Sequence, residues 1–241
     1  MAGKNSSIGE KLHAVLILIW VGLTVLLYAT FSVIVRPLNR RWALAVGDAW
    51  IHQFLGLAGV KIDARGLEKL DEKKRYVFVA NHQSQLDIPV LICGLKHHLS
   101  FIAKKELFHI PFFGWGLHAQ GHIYIDRGNA RKAHNSIKRA ISRLQKDNVS
   151  LALFPEGTRS NTGKVGKFKQ GSFSLVQQAG VEVVPVAIKN TSSLLAKHSF
   201  AVKKGTVVMT ICDPVTIDPA LSKAEISVQV RDAIVKELGG E

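Results

Sequence analysis

The sequence predicts an α/β protein, a mixed, largely parallel sheet flanked by helices, with an N-terminal two-helix membrane anchor. Three observations predict it. Residues 14–35 contain no charged side chain, and roughly 20 apolar residues cross a bilayer core. Past Gly59, short runs rich in Val, Ile and Phe alternate with helical stretches, the pattern of strands joined by helical crossovers. With 241 residues, 47% of them hydrophobic, the chain can bury a large core and is not a disordered one. The division falls at Gly59: residues 1–59 make the anchor and residues 60–241 the α/β domain.

The apolar run 14–35 is built from Leu, Ile and Val with Trp20, Tyr28 and Phe31. A secretory signal has an apolar stretch of about 7–15 residues ending in small residues, and this run is longer and lacks such an end. A buried core helix usually shows a polar stripe, which is missing. The run stops at Arg36-Pro37-Leu38-Asn39-Arg40-Arg41. Pro37 breaks the helix, and the three arginines suit lipid phosphates. Residues 42–59 follow as an amphipathic segment, with Leu44, Trp50, Ile51, Phe54 and Leu55 apolar and Asp48, His52 and Gln53 in one polar sector. The resulting hairpin either spans the bilayer with its first helix or dips into one leaflet. More positive charge follows the run (Arg36, Arg40, Arg41) than precedes it (Lys4, Lys11). That asymmetry expects an inner-membrane protein whose main domain faces the cytoplasm.

Strands are expected at 60–65, 76–81, 99–103, 122–126, 150–154, 183–188 and 206–212. Residues 130–146 read as a helix with Ala133, Ile137, Ala140, Ile141 and Leu144 on one face. Residues 172–179 form another, closed by Gly180. The last helix opens on Ser222-Lys223-Ala224-Glu225, a capping box.

Composition narrows the function. Thirty-two Lys and Arg against eighteen Asp and Glu give +14, which points to nucleic acid or an anionic membrane surface. An aromatic content of 7% is low for a single-strand nucleic-acid binder, which needs stacking platforms. Two cysteines, Cys93 and Cys212, exclude a disulfide scaffold and a zinc finger. Cys93 reads as a small buried residue. There is no G-x-S-x-G nucleophile elbow. Gly157 to Gly163-Lys164 has the wrong spacing for a phosphate loop, and Val165 stands where Ser or Thr belongs. The histidines show no metal-ligand spacing, so no metal site is expected.

Chemistry concentrates where predicted strands end, the rim at which α/β sheets place their sites. Asn81-His82-Gln83-Ser84-Gln85-Leu86-Asp87 follows the second strand. A tight loop can fold Asp87 back onto His82, where the carboxylate fixes the tautomer and stabilises the imidazolium. The plainer reading is that His82 ends the strand and Asp87 begins a helix. Phe154-Pro155-Glu156-Gly157-Thr158-Arg159-Ser160 closes a later strand, and Arg159 offers a planar fork for phosphate. Asp126-Arg127 and Lys104-Lys105-Glu106 close two more. Lys105, Arg127 and Arg159 are therefore candidate phosphate ligands beside a His–Asp pair, an arrangement suited to a lipid phosphate substrate.

These blocks are recognisable together. Asn81–Asp87, Gly121–Arg127, Phe154–Ser160 and Val184-Pro185-Val186-Ala187 resemble, in order, the four motif blocks of the glycerolipid acyltransferases, and most resemble the bacterial lysophosphatidic acid acyltransferase family. Residues 164–173 resemble the segment that follows the third block there. The resemblance implies transfer of an acyl chain from acyl-CoA or acyl-carrier protein to the sn-2 hydroxyl of lysophosphatidic acid, giving phosphatidic acid. It implies His82 as general base and Asp87 as its orienting partner. On the same reading Arg159, the strongest candidate, Lys105 and Arg127 are expected to bind the substrate phosphate, and Asn81, Ser84, Glu156, Gly157 and Thr158 to support the loops. No cofactor is implied beyond the thioester co-substrate, and the partners are membrane lipid rather than nucleic acid.

Three other readings compete: an acyltransferase for another lysolipid, a non-catalytic basic membrane adaptor, and a membrane-tethered nucleic-acid binder. Residues 127–169 carry eleven Lys or Arg against two acids, a net +9, and residues 1–59 only +3. A positive face around His82, turned toward the bilayer, is the expectation.

Overall fold

The computed structural model describes residues 8–125, 130–147 and 149–240. Helix α1 (Ile8–Val35) runs into a turn at Pro37, and α2 (Arg40–Ala58) returns beside it. Asn39 starts α2: its side chain accepts the N–H groups of Arg41 and Trp42 at 2.9 and 3.2 Å, satisfying two of the donors a helix start leaves open. Gly59 ends it at φ +69, a left-handed conformation that glycine adopts without strain. The polar sector of α2 is partly spent on holding the pair together. Trp50 donates to Thr24 Oγ1 at 2.8 Å and Gln53 donates to the Tyr28 hydroxyl at 2.7 Å, while Trp20 and Trp50 stack at 6.0 Å.

Past Gly59, β1 (Val60–Arg65), β2 (Val77–Ala80), β3 (Leu99–Lys104), β4 (Ile123–Ile125), β5 (Ser150–Leu153), β6 (Val183–Lys189) and β7 (Gly205–Ile211) form one sheet in the order β1-β7-β6-β2-β5-β3-β4. Among the pairings of these seven strands only β6–β7 is antiparallel. The five strands from β6 to β4 therefore end on one rim. The interior strands are uniformly buried, Val77 to Ala80 and Ser150 to Leu153 throughout, as both faces of a covered parallel sheet must be.

Helices α6 (Ala130–Lys146), α7 (Phe173–Ala179) and α9 (Lys223–Glu237) cover one face, burying Leu144, Phe173 and Ile226 against Val79 and Leu151. Ser222 and Glu225 close the capping box at the start of α9. Helix α3 (Asp87–Gly94) and the hairpin cover the other face, where Ile17 and Leu55 are buried in one cluster with Phe78, Leu91 and Met209. Gly59 thus marks a change of local structure but not a break in the core.

The outer face of α1 is different. Leu23 and Leu27 are each 65% exposed, and Leu12, Leu16, Ile19, Phe31 and Ile34 stand out beside them. A contiguous apolar face of this extent marks a membrane or partner surface, and residues Lys11–Val35 are long and apolar enough to cross a bilayer.

Two differences from the sequence reading have physical causes. Helices α4 (Lys105–Phe108) and α5 (Phe113–Gln120) were not expected as such, because Gly114 and Gly116 are poor helix formers. Both glycines serve close packing: a Cβ at Gly114 would overlap the Phe108 carbonyl, and one at Gly116 would lie 3.3 Å from Ala29 of α1. The basic helix α6 lies across the sheet from the hairpin and runs from the β4 end to the start of β5. Its positive charge is therefore spread from one rim to the other instead of gathering around His82.

Candidate active site

Long-range contacts hold the loop after β2. Asn81 pairs with the Ile188 backbone in both directions, donating at 2.9 Å and accepting at 2.8 Å, so its side chain extends the β2–β6 ladder by one step. Ser84 donates to the Leu195 carbonyl at 2.7 Å, beyond the short helix α8 (Thr191–Leu194). The His82 N–H donates to Glu156 Oε1 at 2.8 Å. The Asn81 and Ser84 contacts are buried, where an unmade hydrogen bond costs about 1–3 kcal/mol.

Within this frame the His82 ring meets Asp87. His82 Nδ1 donates to Asp87 Oδ2 at 2.7 Å, and the same oxygen accepts the N–H groups of Gln83 and Ser84 at 2.7 and 2.8 Å. Asp87 is fully buried while the His82 side chain is 16% exposed. A carboxylate with three donors on one oxygen does not release its grip on Nδ1–H. That fixes the tautomer with the lone pair on Nε2, on the exposed side. Asp87 also begins α3, so it occupies the helix start without serving as its cap. The His82 ring stacks on Phe154 at 4.1 Å, and Phe154 on Phe101 at 6.2 Å.

The loop after the neighbouring strand β5 is clasped to the first. Glu156 accepts the His82 N–H with one oxygen and the Gly166 N–H, at 3.2 Å, with the other. Burial holds its carboxyl above the usual range, partly offset by those two hydrogen bonds. Gly157 turns the chain at φ +71, which suits glycine, and Thr158 lies exposed on the turn. The Ser160 N–H donates to the His82 carbonyl at 2.8 Å, so Arg159 adjoins the His82 loop. Its guanidinium makes no hydrogen bond or ion pair among the described residues. Gln83 reaches the Gly163 carbonyl at 2.6 Å, and Lys197 donates to the Arg159 carbonyl at 2.9 Å and to Asn161 at 2.7 Å.

Lys105 opens α4 at the end of β3, two strands from β2, a lateral offset of about 10 Å. Asp126 and Arg127 lie outside the described residues. The structure thus brings together His82, Asp87, Asn81, Ser84, Glu156, Gly157 and Arg159 and leaves Lys105 further along the same rim. Sequence reasoning missed Phe154 as the platform under His82, and Lys197 as the brace of the Arg159 loop. Phe154 stood inside a recognised block. No sequence signal marks Lys197, which is 38 residues from Arg159.

An apolar cavity of about 590 Å³ lies between the hairpin and the sheet. Val25 of α1, Ile51 of α2, Ile88 of α3 and Phe101 of β3 line it. Gln85 and Ile88 place its upper end by the His82 loop, and Phe101 joins it to the ring stack. Asp48, His98, Gln120 and His122 give it a polar lower end. His122 is neutral there: its Nδ1 accepts the Phe101 N–H at 3.3 Å, and burial, with the nearby Arg143 charge, pushes its pKa down to about 4. Burial pushes the Cys93 and Cys212 thiols up to about 12, which makes both poor nucleophiles. Among the described residues, no three His, Cys, Asp or Glu side chains gather closely enough to hold a metal.

The Acyltransferase family model matches residues 61–189. A 1-acyl-sn-glycerol-3-phosphate acyltransferase of Saccharomyces cerevisiae is 33% identical over 190 residues, covering 76% of this chain and 62% of its own. The match thus spans under two thirds of the yeast relative. A Haemophilus influenzae protein of the same name is 31% identical over 168 residues, covering 70% of this chain and 69% of its own. The crystal structure of the 1-acyl-sn-glycerophosphate acyltransferase PlsC from Thermotoga maritima superposes with a TM-score of 0.82 at 28% identity, covering 97% of this chain and 98% of that one.

Proposed function

The chain belongs to the acyltransferase family, and from that premise we propose that it acylates the sn-2 hydroxyl of lysophosphatidic acid to give phosphatidic acid. The observation that carries this reading is the His82–Asp87 pair, with Nε2 left for a substrate hydroxyl at the mouth of an apolar cavity. In the proposed reaction Nε2 takes the hydroxyl proton as the oxygen attacks the thioester carbonyl. The tetrahedral intermediate collapses with loss of the thiolate, and the His82 imidazolium returns the proton to sulfur. Asp87 compensates the transient positive charge. The products are phosphatidic acid and the free thiol of CoA or acyl-carrier protein. Proton acceptor and nucleophile are both accounted for, so the proposal draws on no metal or redox cofactor.

Arg159 takes the acceptor phosphate, with Lys105 and Arg127 as further candidates along the rim. The acyl chain lies in the cavity beneath Phe101. The apolar outer face of α1 supports membrane association. A two-helix anchor in the inner membrane, with the catalytic rim on the cytoplasmic side, is the arrangement the arginines after α1 favour. The yeast and Haemophilus relatives carry this activity in their names, which favours lysophosphatidic acid over another lysolipid.

The test is product formation from a panel of lysolipids with acyl-CoA and acyl-carrier-protein donors. Phosphatidic acid is expected from lysophosphatidic acid, with turnover abolished in His82→Ala and KM for lysophosphatidic acid raised in Arg159→Ala. No phosphatidic acid with any donor overturns the reading. An Arg159→Ala variant with unchanged KM removes that residue from phosphate binding.

A further inference from the structure

A second group of arginines lies at the opposite rim of the sheet, where the turn of the hairpin meets α5 and the end of α6. Arg36 donates to the Ala119 carbonyl. Arg40 and Arg143 both approach the carboxylate of Asp147, at 2.7 and 3.6 Å. Gly121, at φ +81, leaves room for Arg143: a Cβ there would overlap the guanidinium. Three cations thus share the field of one carboxylate, while Asp48 is paired with His98 at 3.7 Å.

Donors are left over. Arg40 Nε and Nη2 are buried without a hydrogen-bond partner, and Arg143 Nη1, also buried, reaches Asp147 only at 3.6 Å, too long for a hydrogen bond. Burial, and repulsion among the three side chains, hold Arg36 and Arg143 below the usual guanidinium range. Buried donors and net positive charge are what a planar guanidinium cluster offers an oxyanion. The flanking surface narrows the ligand. On the same turn Leu38 is 81% exposed and Trp42 is 65% exposed, and tryptophan beside basic residues is characteristic of the headgroup region of a bilayer.

We infer that Arg36, Arg40 and Arg143, gathered around Asp147, form an anion site that takes the phosphate of an anionic membrane lipid, whose chains lie over Leu38 and Trp42. This site stands apart from Arg159. Helix α1 ends and α2 begins at the rim where β4 and β5 start, whereas His82 and Arg159 lie where β2 and β5 end. A bound lipid would tie the hairpin turn to α6 and so hold the hairpin against the sheet at the lower end of the apolar cavity.

The test uses the full chain in a neutral maltoside detergent and dihexanoyl-phosphatidylglycerol, a soluble anionic phosphodiester lipid. Binding is read by titration calorimetry and by the rise in thermal midpoint. Saturable binding to the wild type is expected, weakened about tenfold or more in Arg143→Gln and in Arg40→Gln, and unchanged in Arg159→Ala. Asp147→Asn removes the competing carboxylate and is expected to bind at least as tightly, which a purely structural Arg–Asp bridge does not predict. Inorganic phosphate, lacking chains, is expected to bind at least about tenfold more weakly than the lipid. Equal binding by the wild type and both glutamine variants, or loss confined to Arg159→Ala, overturns the site. Inorganic phosphate binding as tightly as the lipid overturns the lipid assignment. Unliganded thermal midpoints check that each variant is folded, and should both glutamine variants unfold, weaker binding by Asp147→Asn overturns the site on its own. The readout is binding, so it stands whatever acceptor the active site proves to use.

Discussion

Replacing Asp87 by Asn isolates the charge of the proposed catalytic pair from its shape. Asp87 is fully buried, and its Oδ2 accepts Nδ1–H of His82 and the N–H groups of Gln83 and Ser84, all within 2.8 Å. An amide oxygen in the same place still accepts the two backbone donors, so the loop keeps its form. The amide nitrogen takes the place of Oδ1, which is already buried without a partner, at a stability cost of about 1–3 kcal/mol. What disappears is the negative charge that, in the proposed reaction, faces the imidazolium formed as His82 accepts the hydroxyl proton. Unit charges about 4 Å apart at an effective dielectric constant near 20 interact by about 4 kcal/mol. Since each 1.36 kcal/mol is tenfold in rate, that amounts to a fall of about 10³ in kcat. Arg159 is untouched, so KM for lysophosphatidic acid should hold. The assay is initial-rate formation of phosphatidic acid at saturating acyl-CoA, below the melting temperature of the variant. A folded Asp87→Asn protein with kcat within tenfold of wild type would refute the assignment of Asp87 as electrostatic partner to His82.

Glu156→Gln should lower both the thermal midpoint and kcat: an amide accepts only one of the His82 and Gly166 N–H groups, a loss of about 1–3 kcal/mol. Because burial raises the Glu156 pKa, the folded chain holds a proton the unfolded chain has released. Its contribution to stability therefore declines as pH rises from the ordinary glutamate range through the raised value, and urea midpoints across that range should lose this slope in the variant. His122 acts in the other direction. With its pKa pushed from 6.5 to about 4, it contributes stability fully present above 6.5 and lost as pH falls toward 4, about 3 kcal/mol in all. His122→Asn, which keeps an acceptor for the Phe101 N–H, should flatten that acid limb in the same melts. Val25→Phe narrows the cavity from the α1 side and should shift the acyl chains accepted toward shorter lengths, seen by mass spectrometry of products from mixed acyl donors. An unchanged distribution would detach the cavity from the acyl chain.

The sheet and the His82–Asp87 contact were legible because both are local: strand runs mark themselves by β-branched residues, and four intervening residues limit how far His82 can stray from Asp87. The third block was legible as a loop with a usable arginine. What could not be read was how the loops hold one another. The Glu156 clasp on the His82 N–H and the Asn81 bridge to Ile188 span 74 and 107 residues, and nothing in one segment specifies the other. Net charge was similarly opaque. Arg36, Arg40 and Arg41 read as one basic turn, yet Arg36 and Arg40 fold inward toward α5 and α6 while Arg41 stays exposed.

The long reach of those clasps bears on how the protein is made. The hairpin precedes in the chain the sheet it packs against. Ser84 waits for the Leu195 carbonyl, 111 residues later, which at synthesis rates of about 5–20 residues per second is roughly 6 to 22 s. For that interval the loop carrying His82 lacks one of its clasps, so an unfinished copy does not yet hold His82 as the finished fold does.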